Sequence, residues 1–126
     1  MTIGIFIAEL LKANTALMLL VPETSIYPYV INENTPLPAI IYTVNSLDSE
    51  YNKDGWVADD CSFSVVSFSA DYASLQNIVT QVREALELKK GTNTHRITLV
   101  GQSEGYNITE NVFLNKLTFS VRIFDY

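Results

Sequence analysis

The chain is poor in the residues that carry chemistry. It holds one cysteine, Cys61, and one histidine, His95. A single cysteine rules out a disulfide within the chain, and a buried small apolar side chain is its expected role. A structural zinc site needs about four Cys or His ligands, and the chain has two such residues in all. A Ser-His-Asp arrangement would have to use His95, and no serine stands in a G-x-S-x-G elbow. His95, in a Thr-His-Arg turn before a strand, is expected at the surface. Glycine is scarce at five residues, and neither G-x-x-x-x-G-K-[ST] nor G-x-G-x-x-G occurs, so a loop that cradles phosphate is not expected. Positive charge is scarce too. Eight Lys and Arg against fourteen Asp and Glu leave a net charge of −6, which argues against a nucleic-acid-binding surface. No catalytic residue, no cofactor, no metal and no sequence-specific nucleic-acid contact is expected.

Two segments imitate function and fail a closer test. Glu50, Asn52, Asp54 and Gly55 resemble the opening of an EF-hand loop, but its twelfth position falls on Cys61, where a bidentate Glu is required. The N-terminal stretch MTIGIFIAELLKANTALMLLV is apolar, yet it lacks a basic leader and is broken by Glu9, Lys12 and Asn14. Its apolar residues Ile3, Phe6, Ile7, Leu10 and Leu11 recur at helical spacing, so an amphipathic helix against a core is expected and no membrane contact. The Asn107-Ile108-Thr109 sequon reads as chance.

Nearly half of the residues are hydrophobic, and 126 residues suffice for one domain, taken as 1–126, with a core of its own. The first helix is expected from about Ile3 to Lys12. Asn14 or Thr15 caps a short second turn that Pro22 ends. A short strand over Ser25–Ile31 carries Pro28 and so belongs at an edge. A loop follows over Asn32–Pro38, then a strand over Ala39–Leu47. The polar excursion Asp48–Asp60 contains Asp54-Gly55, a turn signal, and reads as an extended hairpin tip flanked by Tyr51 and Trp56. These two aromatics are either folded back on the sheet or offered to a partner. A second main helix is expected over Asp71–Lys89, capped by Asp71 or Ser69 and stopped by Gly91. Two long strands, His95–Ser103 and Val112–Phe124, are joined by a turn over Glu104–Asn107. In the last strand Leu117, Phe119, Val121 and Ile123 face one way, and Lys116, Thr118, Ser120 and Arg122 the other. The class is α+β, a two-layer sandwich with a mainly antiparallel β-sheet of about four to five strands packed against two main helices.

The strand CSFSVVSFSADY, Cys61 to Tyr72, alternates serine with apolar residues until Val65-Val66. A β-bulge there would restore the phase and keep Ser62, Ser64, Ser67 and Ser69 on one face, matching Thr118 and Ser120 of the last strand. The serines then form an uncharged hydrogen-bonding face suited to a neighbouring subunit.

The order of features is similar to that of the bacteriophage tail completion or tail terminator (head-tail joining) family, a former domain of unknown function. The resemblance rests on AN-TAL-LLVP in the first helical segment, Ile26-Tyr27-Pro28, LPAIIYTVNS over Leu37–Ser46, the serine-rich strand feeding ADYASLQNIVTQVREAL over Ala70–Leu86, and the terminal VRIF over Val121–Phe124. It covers almost the whole chain; the Asp48–Asp60 excursion with Trp56 stands outside it. The resemblance implies a structural virion protein of a phage or prophage tail and no enzyme. It implies a homo-oligomeric ring, typically a hexamer, that caps the tail tube and joins it to the head-side connector proteins. Such a protein is assembled in the bacterial host cytoplasm and resides at the head-tail junction. DNA would pass such a ring without being gripped, and a net negative charge repels phosphate. A head-to-tail ring needs two complementary patches. The candidate interface residues are Tyr51, Trp56, Ser62, Ser64, Ser67, Ser69, Lys116, Thr118, Ser120 and Arg122.

The competing reading is a dimeric α+β domain that binds a small ligand or acts as an enzyme. It needs a deep pocket between sheet and helices with convergent polar groups. Tyr27, Tyr42 and His95 are the only lining residues the sequence suggests.

Overall fold

Spacing of apolar residues builds the helix layer. A computed structural model describes residues 3–29, 36–91 and 94–124. Helix α1, Ile3–Ala13, buries Phe6, Ile7 and Leu11, one stripe of its surface. Helix α2, Thr15–Leu20, is capped by Asn14, whose side chain accepts from the Leu17 N–H. The Asn14 amide also donates to the Gln81 carbonyl, which ties this cap to the third helix. That helix, α3, runs Tyr72–Leu86 and buries Leu75, Ile78, Val79, Val82, Ala85 and Leu86. The Asp71 carboxylate accepts from the Ser74 N–H at 3.0 Å and the Ser74 hydroxyl at 2.9 Å, so Asp71 is the N-cap.

Five strands form one sheet in the order β1-β2-β3-β5-β4. They are β1 Ile26–Pro28, β2 Ala39–Asn52, β3 Gly55–Ser69, β4 Thr98–Asn107 and β5 Val112–Ile123. The three-residue β1 runs parallel to β2, and every other pairing is antiparallel. Pro28 does lie on an edge strand, as its missing N–H requires. The strand is shorter than the expected Ser25–Ile31: Ser25 ends a 3-10 turn, and Tyr29 leaves the extended conformation with φ of 64°, while residues 30–31 and most of the Asn32–Pro38 loop lie outside the described residues. Three helices on one face of a mixed sheet make a two-layer α+β sandwich. The core between the layers is built on Phe63, Val65, Leu117, Phe119, Val121 and Ile123 from the sheet. Phe63 and Phe119 sit directly opposite each other on β3 and β5 and stack with centroids 5.4 Å apart.

The expected bulge at Val65-Val66 is absent. Both residues keep regular partners, Tyr42 and Ile41 on β2, Leu117 and Lys116 on β5. One register shift lies across the pair on β2, where Asn45 is the extra residue between Val44 and Ser46, and a second lies near the hairpin tip, where Val57 is the extra residue between Trp56 and Ala58 on β3. Strict alternation then separates the serines. Ser62 and Ser64 share the face of Ser120 and Thr118, whereas Ser67 and Ser69 are buried on the helix side, opposite Asn115 and Phe113. The apolar side chains displaced by this phase, Val66 and Phe68, lie on the open face with Ile41 and Leu114, half-buried. Bulging is unnecessary because small buried serines are tolerated under the helices while Val66 and Phe68 find apolar cross-strand neighbours.

Two boundaries also differ from expectation. Helix α3 ends at Leu86, with Glu87 as C-cap, before Lys89 and Gly91. Leu88 takes the left-handed conformation with φ of 62° and donates to the Ile97 carbonyl, so a tertiary hydrogen bond ends the helix where Gly91 was expected to. The last hairpin turns at Ile108–Asn111 and not at Glu104–Asn107. The Asn107 side chain accepts from the N–H groups of Thr109 and Glu110, and Asn111 has φ of 55°. Tyr106 stays in the ladder because its ring packs on Phe113, centroids 4.6 Å apart.

Candidate assembly surface

The β2–β3 hairpin extends past the helices. Lys53 and Asp54 form its tip, the Asn52 side chain accepts from the Asp54 N–H at 2.8 Å, and Gly55 supplies the positive φ of 118°. The two flanking aromatics separate. Tyr51 is 69% exposed. Trp56 is folded back, its indole N–H donating at 2.8 Å to the Asp59 carboxylate, which also accepts from the Ser49 hydroxyl. Asp59 is buried, so this small network fixes the base of the projecting arm.

The open face carries the second constellation. Arg122 on β5 holds both oxygens of Asp60 on β3 at 3.1 and 3.2 Å and also binds Glu50 on β2. Hydrogen bonding to Glu50, then the charges of Glu50 and Asp60, raises the Arg122 guanidinium above its ordinary value against the pull of desolvation. One side chain thus ties three strands together where the arm leaves the sheet. Farther along, the Ser64 hydroxyl accepts from the Asn45 amide at 2.7 Å and lies 3.4 Å from the Thr118 hydroxyl, which buries Ser64 completely. Ser62, Thr118 and Ser120 are half-buried and Lys116 is exposed.

Of the ten interface candidates, the open face collects Ser62, Ser64, Lys116, Thr118, Ser120 and Arg122, and the arm carries Tyr51 and Trp56. Ser67 and Ser69 are withdrawn, because they are buried under the helices, and Ser64 is withdrawn as a contact residue, because its hydrogen-bond partners on the open face leave it no exposure. Sequence reasoning missed Asp59, Asp60 and Glu50 as the partners that shape this surface. The signal available was a Trp-x-x-Asp spacing in a hairpin and an Arg on the strand that would pair with it.

At the opposite end, Glu104 of β4 accepts from the Gln76 amide, the Tyr72 hydroxyl and the Asn115 amide. The Gln76 bond, then the Tyr72 bond, holds its carboxyl below the usual carboxylate range, and Glu104 in turn raises Tyr72. This clamps the β4–β5 hairpin to the first turns of α3.

The three residues suggested as pocket lining do not converge. Tyr27 pairs with Ile41 on the open face, Tyr42 lies on the helix face opposite Val65, and His95 is exposed beside Arg122 and Phe124. Surface grooves of about 390, 310 and 190 Å³ run along α3 and are lined by none of the three. Among the described residues no group of His, Cys, Asp and Glu is placed to hold a metal ion, and no helix is long and apolar enough to cross a membrane.

Cys61 is buried, and burial first, then the Asp59 charge, pushes its thiol up to about 11. A raised folded-state value means the protonated thiol favours the fold. That contribution is complete below the ordinary value near 9.0 and is lost as pH rises through about 11. Maleimide labelling of the native chain at pH 8 is therefore expected to proceed only as fast as the fold opens, and denaturation midpoints to fall between pH 9 and 11. Rapid native labelling at pH 8 would contradict the burial.

The family model for tail completion protein gp17 matches residues 6–123. The chain belongs to the tail completion protein gp17 family. It is thereby a structural component of a phage tail. No curated protein matches the chain. Among solved structures, a chain in the virion of a native gene transfer agent particle superposes with a TM-score of 0.72 at 17% identity, covering 94% of this chain and 92% of that one. At that identity the likeness is one of fold: the tail completion chain shares its two-layer architecture with a virion component.

Proposed function

We propose that this tail completion protein forms a homo-oligomeric ring, six subunits around, that closes the tail tube and joins it to the head-side connector proteins at the head-tail junction. The observation that carries this reading is the family match over nearly the whole chain. The gene transfer agent virion chain of the same fold supports it. Assembly would take place in the bacterial host cytoplasm. A net charge of −6 suits a passage through which DNA slides, since it offers phosphate no binding surface.

The surface suited to subunit contact combines the arm, with Tyr51 exposed beside its tip, and the open face bearing Ser62, Lys116, Thr118, Ser120 and Arg122; Ser64 lies on that face but is fully buried and supports it from within. Head-to-tail rings require two unlike patches on each subunit, and these two are unlike: one aromatic and projecting, one flat and hydrogen-bonding. The test is the mass of the oligomer that the chain forms alone or on purified tail tubes. Tyr51→Ala combined with Trp56→Ala is expected to reduce oligomer yield by about tenfold or more, as loss of interface aromatics does. Unchanged assembly would remove the arm from the contact. A chain that stays monomeric both alone and with tubes would overturn the ring.

A further inference from the structure

Among the described residues the sheet leaves two edges uncovered. One is β4, the last strand in the order, ten residues that are exposed except at Leu99. The other lies on β2. The short β1 covers only Ile40, Ile41 and Tyr42, so among the described residues no strand lies beside positions 43–52, a segment of the same length. Uncovered edges present rows of unpaired N–H and C=O groups, and proteins usually blunt them with lysine, proline or short strands. Strand β4 has no lysine, arginine or proline. Its one acid, Glu104, is turned to the helix side and held there by Gln76, Tyr72 and Asn115. Its bulge at Val100 disturbs only the beginning and leaves Gly101–Asn107 in regular register with β5.

We propose that these two edges pair between copies of the chain, with β4 of one subunit adding to the 43–52 segment of β2 in the next. The inference rests on the ring reading and specifies its contact. Charge selects the pairing. The β2 edge bears Asp48 and Glu50 on the open face, the latter bound to Arg122, so two such segments laid together would bring like charges near each other, which is destabilising. On the same face β4 presents Thr98, Gly101, Ser103 and Gly105, with Lys116 one strand inward. Neither Lys116 nor Asp48 has an ion-pair partner among the described residues, and edge pairing brings that lysine toward the neighbour's acidic strand. Two different, complementary edges on one chain give a head-to-tail contact that repeats until it closes, whereas an edge pairing with itself stops at a dimer. Small side chains on β4 suit this role, because Gly101 and Gly105 let a neighbouring backbone approach.

The oligomer, formed alone or on purified tail tubes and isolated by size, is compared with the monomer by hydrogen exchange. Outward amides of both Thr98–Asn107 and 43–52 are expected to slow by at least about tenfold in the oligomer. In parallel, Ser46→Cys and Ser103→Cys, both exposed on the open face, are treated with a short bismaleimide. Native Cys61 is buried and stays unlabelled. Crosslinked dimer is expected when the two variants are mixed and not from either alone. A crosslink from Ser103→Cys alone, with protection confined to β4, would replace the proposal with a symmetric β4 contact. An oligomer with neither edge protected would overturn edge pairing and leave the ring standing. Failure to form any oligomer under either condition would overturn both.

Discussion

Phe63→Ala is expected to destabilise the fold by about 3 to 5 kcal/mol. Phe63 lies on the central strand β3, fully buried, stacked on the equally buried Phe119 directly across on β5. Removing the ring deletes its transfer energy, opens a cavity beneath the helix layer and ends the aromatic pairing, worth a further fraction of a kcal/mol or more. A domain of this size has a total stability of about 5 to 15 kcal/mol, so the variant would be partly unfolded at working temperature. Chemical denaturation with far-ultraviolet circular dichroism reads the shift. Ser120→Ala on the other face of β5 serves as contrast and is expected to change stability by no more than about 0.5 kcal/mol. A Phe63→Ala loss below about 1 kcal/mol would mean that the helices do not seat on this part of the sheet.

Much of the architecture was legible because periodicity reports which side faces the core. The stripe from Leu75 to Leu86 gave α3, and the alternation from Leu117 to Ile123 gave β5 with both of its faces assigned correctly. The errors share a cause. Val65-Val66 looks like a break in phase when β3 is read alone, but phase is set by what each residue opposes. Ser67 is tolerated in the helix-side layer and Phe68 is sheltered on the open face with Leu114, so no bulge forms. The bulge that occurs across the ladder on β2, at Asn45, has no mark in a run as strand-like as AIIYTVNSL. Gly105 read as a turn residue, yet it lies in the ladder under Leu114, and Asn107 makes the turn instead through its side chain. Site residues were legible where exposure is local, as with Tyr51, and hidden where partners come from three strands, as with Arg122, Asp60 and Glu50. The resemblance supplied what spacing could not, since assembly leaves no catalytic motif to find.

Asp59→Ala is expected to cost about 2 to 3 kcal/mol and to loosen the arm without unfolding the sandwich. The carboxylate is buried at the base of the hairpin and accepts from both the Trp56 indole and the Ser49 hydroxyl. Its loss leaves donors without that acceptor and lets the indole swing toward water. Tryptophan emission should therefore shift to the red in the variant while the far-ultraviolet spectrum stays native. Trp56 is the one tryptophan, so the signal reports this site alone. Asp59→Asn keeps an amide oxygen where both donors bond, Oδ1, but loses the charge that strengthens those bonds, and is expected to lose about half as much. The pair separates two roles for the arm. If subunit contact depends on its direction, Asp59→Ala will assemble as poorly as the Tyr51→Ala, Trp56→Ala double variant although Tyr51 is intact, and Asp59→Asn will recover much of the yield. Emission and assembly both unchanged in Asp59→Ala would show that neither the indole bond nor the direction of the arm matters. A red shift with normal assembly would confine Asp59 to stability and leave the sheet edges and open face to make the contact.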